Sequence, residues 1–220
     1  MSSPADADGV IVVHLVRHGE VDNPDRVLYG RLPGFHLSDL GKRQAQAAAD
    51  WLAARDIGHL AASPLERAQQ TAGVVAERTG LRIVIDDRLL EADNYLQGRR
   101  VAGGQGLLRD PASWRYLTNP LKPSWGEPYR QIADRTLAAA RAARDATAAA
   151  GRGEAVCVTH QLPIVAARRA VQGQPLFHDP RKRQCALGSI TSFTFAGDTV
   201  ERVAYLEPAP ELPSGTGAGA

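Results

Sequence analysis

Residues Ile11-Val12-Val13-His14-Leu15-Val16 form an apolar, β-branched run that is closed abruptly by Arg17-His18-Gly19-Glu20. Such a run reads as a buried strand, which places Arg17 and His18 on the loop at its carboxyl end, where open α/β sheets bind ligands. A histidine there can be a nucleophile toward phosphorus, and an adjacent arginine offers a planar donor fork that matches phosphate oxygens. An ordinary strand end decorated by two polar side chains is the competing reading, and the tetrad alone does not separate the two.

Two further segments bear on that choice. In Ala62-Ser63-Pro64-Leu65-Glu66-Arg67-Ala68 the order of residues predicts a helix start, with Ser63 as N-cap, Pro64 at the first helical position and Glu66 closing a capping box. Arg67 then projects from a first turn whose free N–H groups already favour an anion. A second apolar run, Ala155-Val156-Cys157-Val158-Thr159, delivers His160, and Pro163 is read as opening another helix. Two strand-end histidines and two arginines would thus meet over one sheet edge.

With these pieces in view the chain resembles the histidine phosphatase superfamily, in the branch that also contains the cofactor-dependent phosphoglycerate mutases. The resemblance rests on LVRHGE at 15–20, LSDLGKRQAQ at 37–46, SPLERAQQTA at 63–72, the acidic position of LLEADN at 89–94 and VTHQ at 158–161, in the family's order. It implies His18 as nucleophile, Arg17 and Arg67 as a phosphate clamp, His160 as a further donor that would be positive if protonated, and Glu91 as proton donor to the departing oxygen. Glu20, Asp93 and Glu127 compete for the last role. A carboxyl near two arginines tends to ionise, so burial or the charge of bound phosphate is needed to keep it protonated. The chain departs from the family pattern in three places. Pro24 stands where an Asn is common, leaving Asn23 as the nearest amide; Gln161 replaces the usual Gly after the second histidine; and Gly126-Glu127-Pro128 lacks the usual hydroxyl. Asn23, Gln161, Tyr29 and Gly30 are carried as substrate-binding candidates.

The 220 residues suit one domain spanning 1–220, with an ordered core over 10–206 and a Pro/Gly/Ala/Ser-rich tail at 207–220 expected to be mobile or loosely draped. Strand and helix patterns alternate: a helix over about 38–55 with Leu40, Ala48, Ala49 and Leu52 inward, a strand near 58–62, a helix 64–79 stopped by Gly80, and a strand 82–85. After these come a helix over about 128–150, the strand ending at His160, and a closing hairpin about Gly197-Asp198. This predicts an α/β fold, a three-layer α/β/α sandwich with a mainly parallel sheet, phosphoglycerate mutase-like as the resemblance implies. The stretch from Glu91 to Trp125 breaks the rhythm and reads as an insertion over the site, where Trp114 and Trp125 would anchor a lid or line a pocket. Trp51 is expected in the core.

A net charge of +2, mixed along the chain, gives no basic stripe for nucleic acid. No apolar run reaches membrane-spanning length and the N-terminal nonapeptide lacks the regions of a signal peptide, so a cytoplasmic protein with a small phosphorylated substrate and no membrane partner is expected, a homodimer being left open. Cys157 and Cys185 form no framework and are read as free thiols. The spacing His14-x-x-x-His18 invites a metal, but a strand does not bring residues four apart onto one ligand set, so neither a metal nor a cofactor is expected. His36, His59 and His178 are read as ordinary surface or capping histidines. The resulting expectation is a metal-independent phosphomonoesterase working through a phosphohistidine. A mutase-type isomerase and a non-catalytic phosphate-binding module are the alternatives.

Overall fold

The computed structural model describes residues 9–100 and 126–213. The segment 101–125, with Trp114, Trp125 and most of the expected insertion, lies outside the described residues, as do 1–8 and 214–220.

Six strands, β1 (Ile11–Arg17), β2 (Ile57–Ala62), β3 (Ile83–Ile85), β4 (Glu154–Thr159), β5 (Ile190–Ala196) and β6 (Thr199–Leu206), form one sheet in the order β3-β2-β4-β1-β5-β6. The first four run parallel; β5 pairs antiparallel with β1, and β6 with β5. Strands buried on both faces must be apolar at successive positions rather than alternate positions, which is why 11–16 and 155–159 read as unbroken runs.

Each face carries two helices. Ala48, Ala49 and Leu52 of α1 (Asp39–Ala53) and Ala68, Ala72 and Val75 of α2 (Glu66–Thr79) pack on Val16, Val156 and Val158. On the other face Leu137, Ala140 and Ala143 of α3 (Tyr129–Ala149) and Ile164, Val165 and Ala167 of α4 (Gln161–Val171) cover Val13, Leu15 and Cys157. The small alanines let the helices approach the sheet closely, and the three layers expected from the alternation are present.

Several local expectations are corrected. Leu40 is only half-buried and the inward stripe of α1 runs instead through Gly41, Gln44, Ala45, Ala48, Ala49 and Leu52. Trp51 is likewise half-buried, its ring stacked under Arg55 at 3.6 Å and meeting His14 edge-on at the rim of the core. Helix α4 starts at Gln161, two residues before Pro163. Over its described part the tail touches α1: Gln44 Nε2 donates to the Pro213 carbonyl at 3.2 Å, and Leu212 N closes a turn on Ala209. Gly80 does end α2, at φ +72°. No helix among the described residues is long and apolar enough to cross a membrane.

Candidate active site

Register decides where the chemistry sits. Arg17 pairs with Thr159 and Ala62 with Val158, so β1, β4 and β2 end at one level and release His18, His160 and Ser63 side by side. His18 N donates to Thr159 O at 3.1 Å, and the His18 and His160 rings lie with centroids 5.1 Å apart. Gly19 follows because the chain must turn against α1; a Cβ there would stand 2.2 Å from the Gly41 carbonyl oxygen.

His18 stands at the strand end as expected and is completely buried there. Its Nδ1 lies 2.7 Å from the Gly19 carbonyl, which can only accept, so Nδ1 carries the proton. Arg67 Nε donates to Nε2 at 3.3 Å, so Nε2 carries the lone pair. Burial, then the Arg67 and Arg17 guanidinium groups, hold the His18 pKa well below the usual histidine value. The ring is therefore a neutral, oriented nucleophile at neutral pH.

Both arginines are anchored at one nitrogen and unengaged at another. Arg17 Nη1 donates to Cys185 O and Arg67 Nη2 to Gly30 O, each at 2.7 Å, while Arg17 Nε and Arg67 Nη1 are buried without a partner among the described residues. No carboxylate among those residues lies within ion-pair distance of either. Two buried guanidinium groups without a counter-ion are costly unless an anion completes them. Arg67 also sits at the second position of α2, whose amino end adds to the positive field, with its guanidinium 4.7 Å from the centre of the Tyr29 ring. Tyr29 and Gly30 thus hold Arg67 in place.

His160 Nε2 meets Ser63 Oγ at 2.8 Å and its Nδ1 is buried without a partner. Ser63 is therefore not the expected N-cap: Leu65 occupies that place without a side-chain cap, and the carboxylate of Glu66 instead accepts from Gly34 N. The Ser63 hydroxyl serves both a tertiary partner, His160, and a local one, accepting from Leu65 N at 3.4 Å. Burial and Arg67 push the His160 pKa well below its usual value, so the ring is neutral in the free site. It offers an Nδ1–H donor when Ser63 donates to Nε2, which replaces the charged role raised for it from the resemblance.

Glu91 is buried, with Oε1 accepting from Ala92 N at 2.8 Å and Oε2 without a partner. Its carbonyl takes Arg31 Nε at 2.7 Å and Arg135 Nη2 at 3.4 Å, and Arg135 Nη1 also binds the carbonyls of Arg88 and Leu90. Arg135, a helix residue with no local signal of this use, fixes the segment that presents Glu91. The competing acids are engaged. Glu127 is gripped by Arg135 at 2.7 Å and Arg31 at 3.0 Å, Glu20 accepts from Ser38 Oγ at 2.7 Å, and Asp93 accepts from Asn94 N at 3.0 Å.

Asn23 spans its own loop, its amide donating to and accepting from the Val27 backbone at 2.9 Å, and the structure provides no observation that aims it at phosphate. Gln161 reaches Cys185 O at 3.4 Å. His14 and His18 share no ligand set, since His14 lies 2.8 Å from Ser192 Oγ and 2.6 Å from Glu154. No group of three or more metal-type side chains converges among the described residues.

Three buried histidines, His14, His18 and His160, all have lowered pKa values, with burial the largest cause each time. The unfolded chain binds protons below about pH 6.5 that the folded chain refuses, so each histidine costs up to about 1.4 kcal/mol per pH unit as pH falls. Thermal melts should therefore be level from pH 8 to 7 and fall steadily between 6.5 and 5, before the carboxylates titrate. A flat melting temperature across that window would contradict the neutral, buried rings.

A sequence model of the histidine phosphatase superfamily (branch 1) matches residues 13–207. The chain is 53% identical over 197 residues to the uncharacterized protein Rv0525 of Mycobacterium tuberculosis, covering 90% of this chain and 96% of that one. It is 33% identical over 184 residues to glucosyl-3-phosphoglycerate phosphatase of Mycolicibacterium vanbaalenii, covering 76% of each. Its fold superposes with a TM-score of 0.68 on the mycobacterial glucosyl-3-phosphoglycerate phosphatase Rv2419c in complex with inorganic phosphate, at 26% identity and covering 89% of this chain and 94% of that one. The strand-end histidine pair and arginine clamp thus stand on the framework shared with these proteins, and the chain belongs to the histidine phosphatase superfamily, branch 1, as an enzyme of that family.

Proposed function

We propose that the enzyme is a metal-independent phosphomonoesterase that hydrolyses a small phosphorylated metabolite through a phosphohistidine on His18. The observation that carries this reading is the fixed tautomer: Nδ1–H on Gly19 O and a lone pair on Nε2 that accepts from Arg67 Nε at 3.3 Å, set among the unengaged nitrogens of Arg17, Arg67 and His160. Nε2 attacks phosphorus while the ester P–O bond breaks and the departing oxygen takes the proton of Glu91. Arg17, Arg67 and the His160 Nδ1–H hold the equatorial oxygens, where charge builds in transfer. Glu91, now a carboxylate, then accepts a proton from the water that attacks phosphorus as the P–N bond breaks, and phosphate leaves. Asn23, Tyr29, Gly30 and Gln161 are assigned to the rim of this site, Tyr29 and Gly30 through their hold on Arg67.

A panel of phosphorylated metabolites, assayed for phosphate release with and without a chelator, tests the proposal. Release from at least one ester at an undiminished rate with chelator is expected; loss of activity on chelation would remove metal independence. A mutase would use the same histidine but return the phosphoryl group. Net phosphate release with negligible interconversion of 2- and 3-phosphoglycerate, even with bisphosphoglycerate supplied, is the expected outcome. Isomerisation outpacing release would favour the isomerase.

A further inference from the structure

A cavity of about 170 Å³ opens beside Glu91, with apolar walls from Leu28, Ala92 and Leu162, two acids, Glu91 and Asp93, and one cation, Arg183. It shares Gly30 with the phosphate clamp, since the Gly30 carbonyl anchors Arg67. A leaving group departing toward Glu91 enters this space. Arg183 belongs to none of the motifs that mark the family, and its loop, between α4 and β5, gave no sequence signal.

Arg183 is held in place by three side chains, those of His178, Gln161 and Tyr129. Its Nε donates to His178 Nε2 at 2.9 Å, and His178 is itself oriented by Nδ1–H on the Leu176 carbonyl at 2.7 Å and by the Tyr129 ring at 5.6 Å. Its Nη1 donates to Gln161 Oε1 at 3.3 Å. Gln161 Nε2 in turn reaches Cys185 O, the carbonyl that anchors Arg17. The side chain standing at 161 therefore links the phosphate clamp to Arg183 in one hydrogen-bonded run. All three supports are neutral, and no carboxylate among the described residues lies within ion-pair distance of the guanidinium.

We propose that Arg183, positioned by Gln161 and His178, is a specificity-determining residue that binds a carboxylate on the leaving group, so that the preferred substrates are phosphomonoesters of small carboxylic acids. The inference rests on the phosphatase reading above and names its substrate class. A singly charged carboxylate fits better than a second phosphate, because among the described residues Arg183 is the one cation lining this space, which Asp93 also lines and in which Glu91 becomes a carboxylate once it has given up its proton. The guanidinium fork matches the two carboxylate oxygens, and the aliphatic walls accept the carbon frame between the two anions.

The test compares phenyl phosphates carrying a para carboxylate or a para carboxamide, which are close in size and differ in charge. The wild-type enzyme should show a KM at least tenfold lower for the carboxylate. In Arg183→Gln that KM ratio should fall to near one, and Arg183→Lys, which keeps the charge but loses the fork, should recover part of it. A wild-type ratio near one would overturn the assignment of Arg183 while leaving the phosphatase reading intact. A ratio retained in Arg183→Gln would also overturn it, and would mark the residue as structural. Failure of the wild type to hydrolyse either ester would overturn the phosphatase reading, and this inference with it.

Discussion

Replacing His18 with alanine is expected to abolish phosphate release, to below a few per cent of the wild-type rate, on every ester the enzyme accepts. Phosphoryl transfer to a protein nucleophile cannot proceed without the lone pair that Gly19 and Arg67 orient on Nε2. Because the ring is fully buried, alanine also leaves a hole between two arginines, so His18→Asn, which better keeps the volume, belongs beside it. Both variants retain the unengaged nitrogens of Arg17, Arg67 and His160, so inorganic phosphate should still raise their melting temperatures, by mass action on the folded state. That separates loss of chemistry from loss of the fold. Quenching the wild type without acid during turnover should trap a phosphoenzyme that is acid-labile and base-stable, as a phosphoramidate is, and neither variant should yield it. A His18→Asn enzyme that keeps substantial turnover, or a phosphoenzyme surviving acid, would defeat the assignment of His18.

What could be read from the residues divides along the line between local and tertiary causes. The buried runs of β1 and β4 and the alternation with alanine-rich helices are local patterns that packing then used, so the three layers and the strand-end histidines were legible. The register that brings Arg17 opposite Thr159 is a global property, which the two runs by themselves do not carry. Ser63 is a further case. Ser-Pro-Leu-Glu carries a complete helix-start pattern, but α2 starts two residues later, and the Ser63 hydroxyl accepts from Leu65 N at 3.4 Å while it pairs with the buried His160 ring, a partner that local sequence does not announce. Arg135 and Arg183 were invisible for a related reason: each earns its role only through contacts with carbonyls or side chains distant in sequence. The contact of Gln44 with the Pro213 carbonyl is of the same kind, a pairing of residues far apart in sequence.

Glu91→Gln should slow phosphoryl transfer from alkyl phosphates by about a hundredfold to ten-thousandfold while largely sparing that first step on aryl phosphates with acidic phenols. An alkoxide is a poor leaving group and needs its proton during P–O cleavage; an acidic phenol does not. Glutamine preserves the shape and the contact with Ala92 N but offers no transferable proton, so the loss must track the leaving group. Two of the competing acids are more tightly engaged than Glu91. Glu127 is tied at both oxygens by Arg135 and Arg31, and Glu20 is bound to Ser38 at the cap of α1, whereas Glu91 keeps a buried oxygen unengaged beside the leaving-group cavity. Glu127→Gln should therefore act differently. Loosening Arg135 would disturb the carbonyls of Leu90 and Glu91 and lower turnover on both ester types alike, by misplacing the acid rather than removing it. The reciprocal outcome, in which Glu127→Gln discriminates between leaving groups and Glu91→Gln does not, would transfer the proton-donor role to Glu127. In the phosphatase reading one more consequence binds the two ends of the reaction: Glu91 must also activate water, so with a good aryl leaving group the Gln variant should accumulate phosphoenzyme, detectable as a burst of phenol followed by a slow steady rate. A variant that is slow without a burst on such esters would mean that Glu91 serves the first step and not the second.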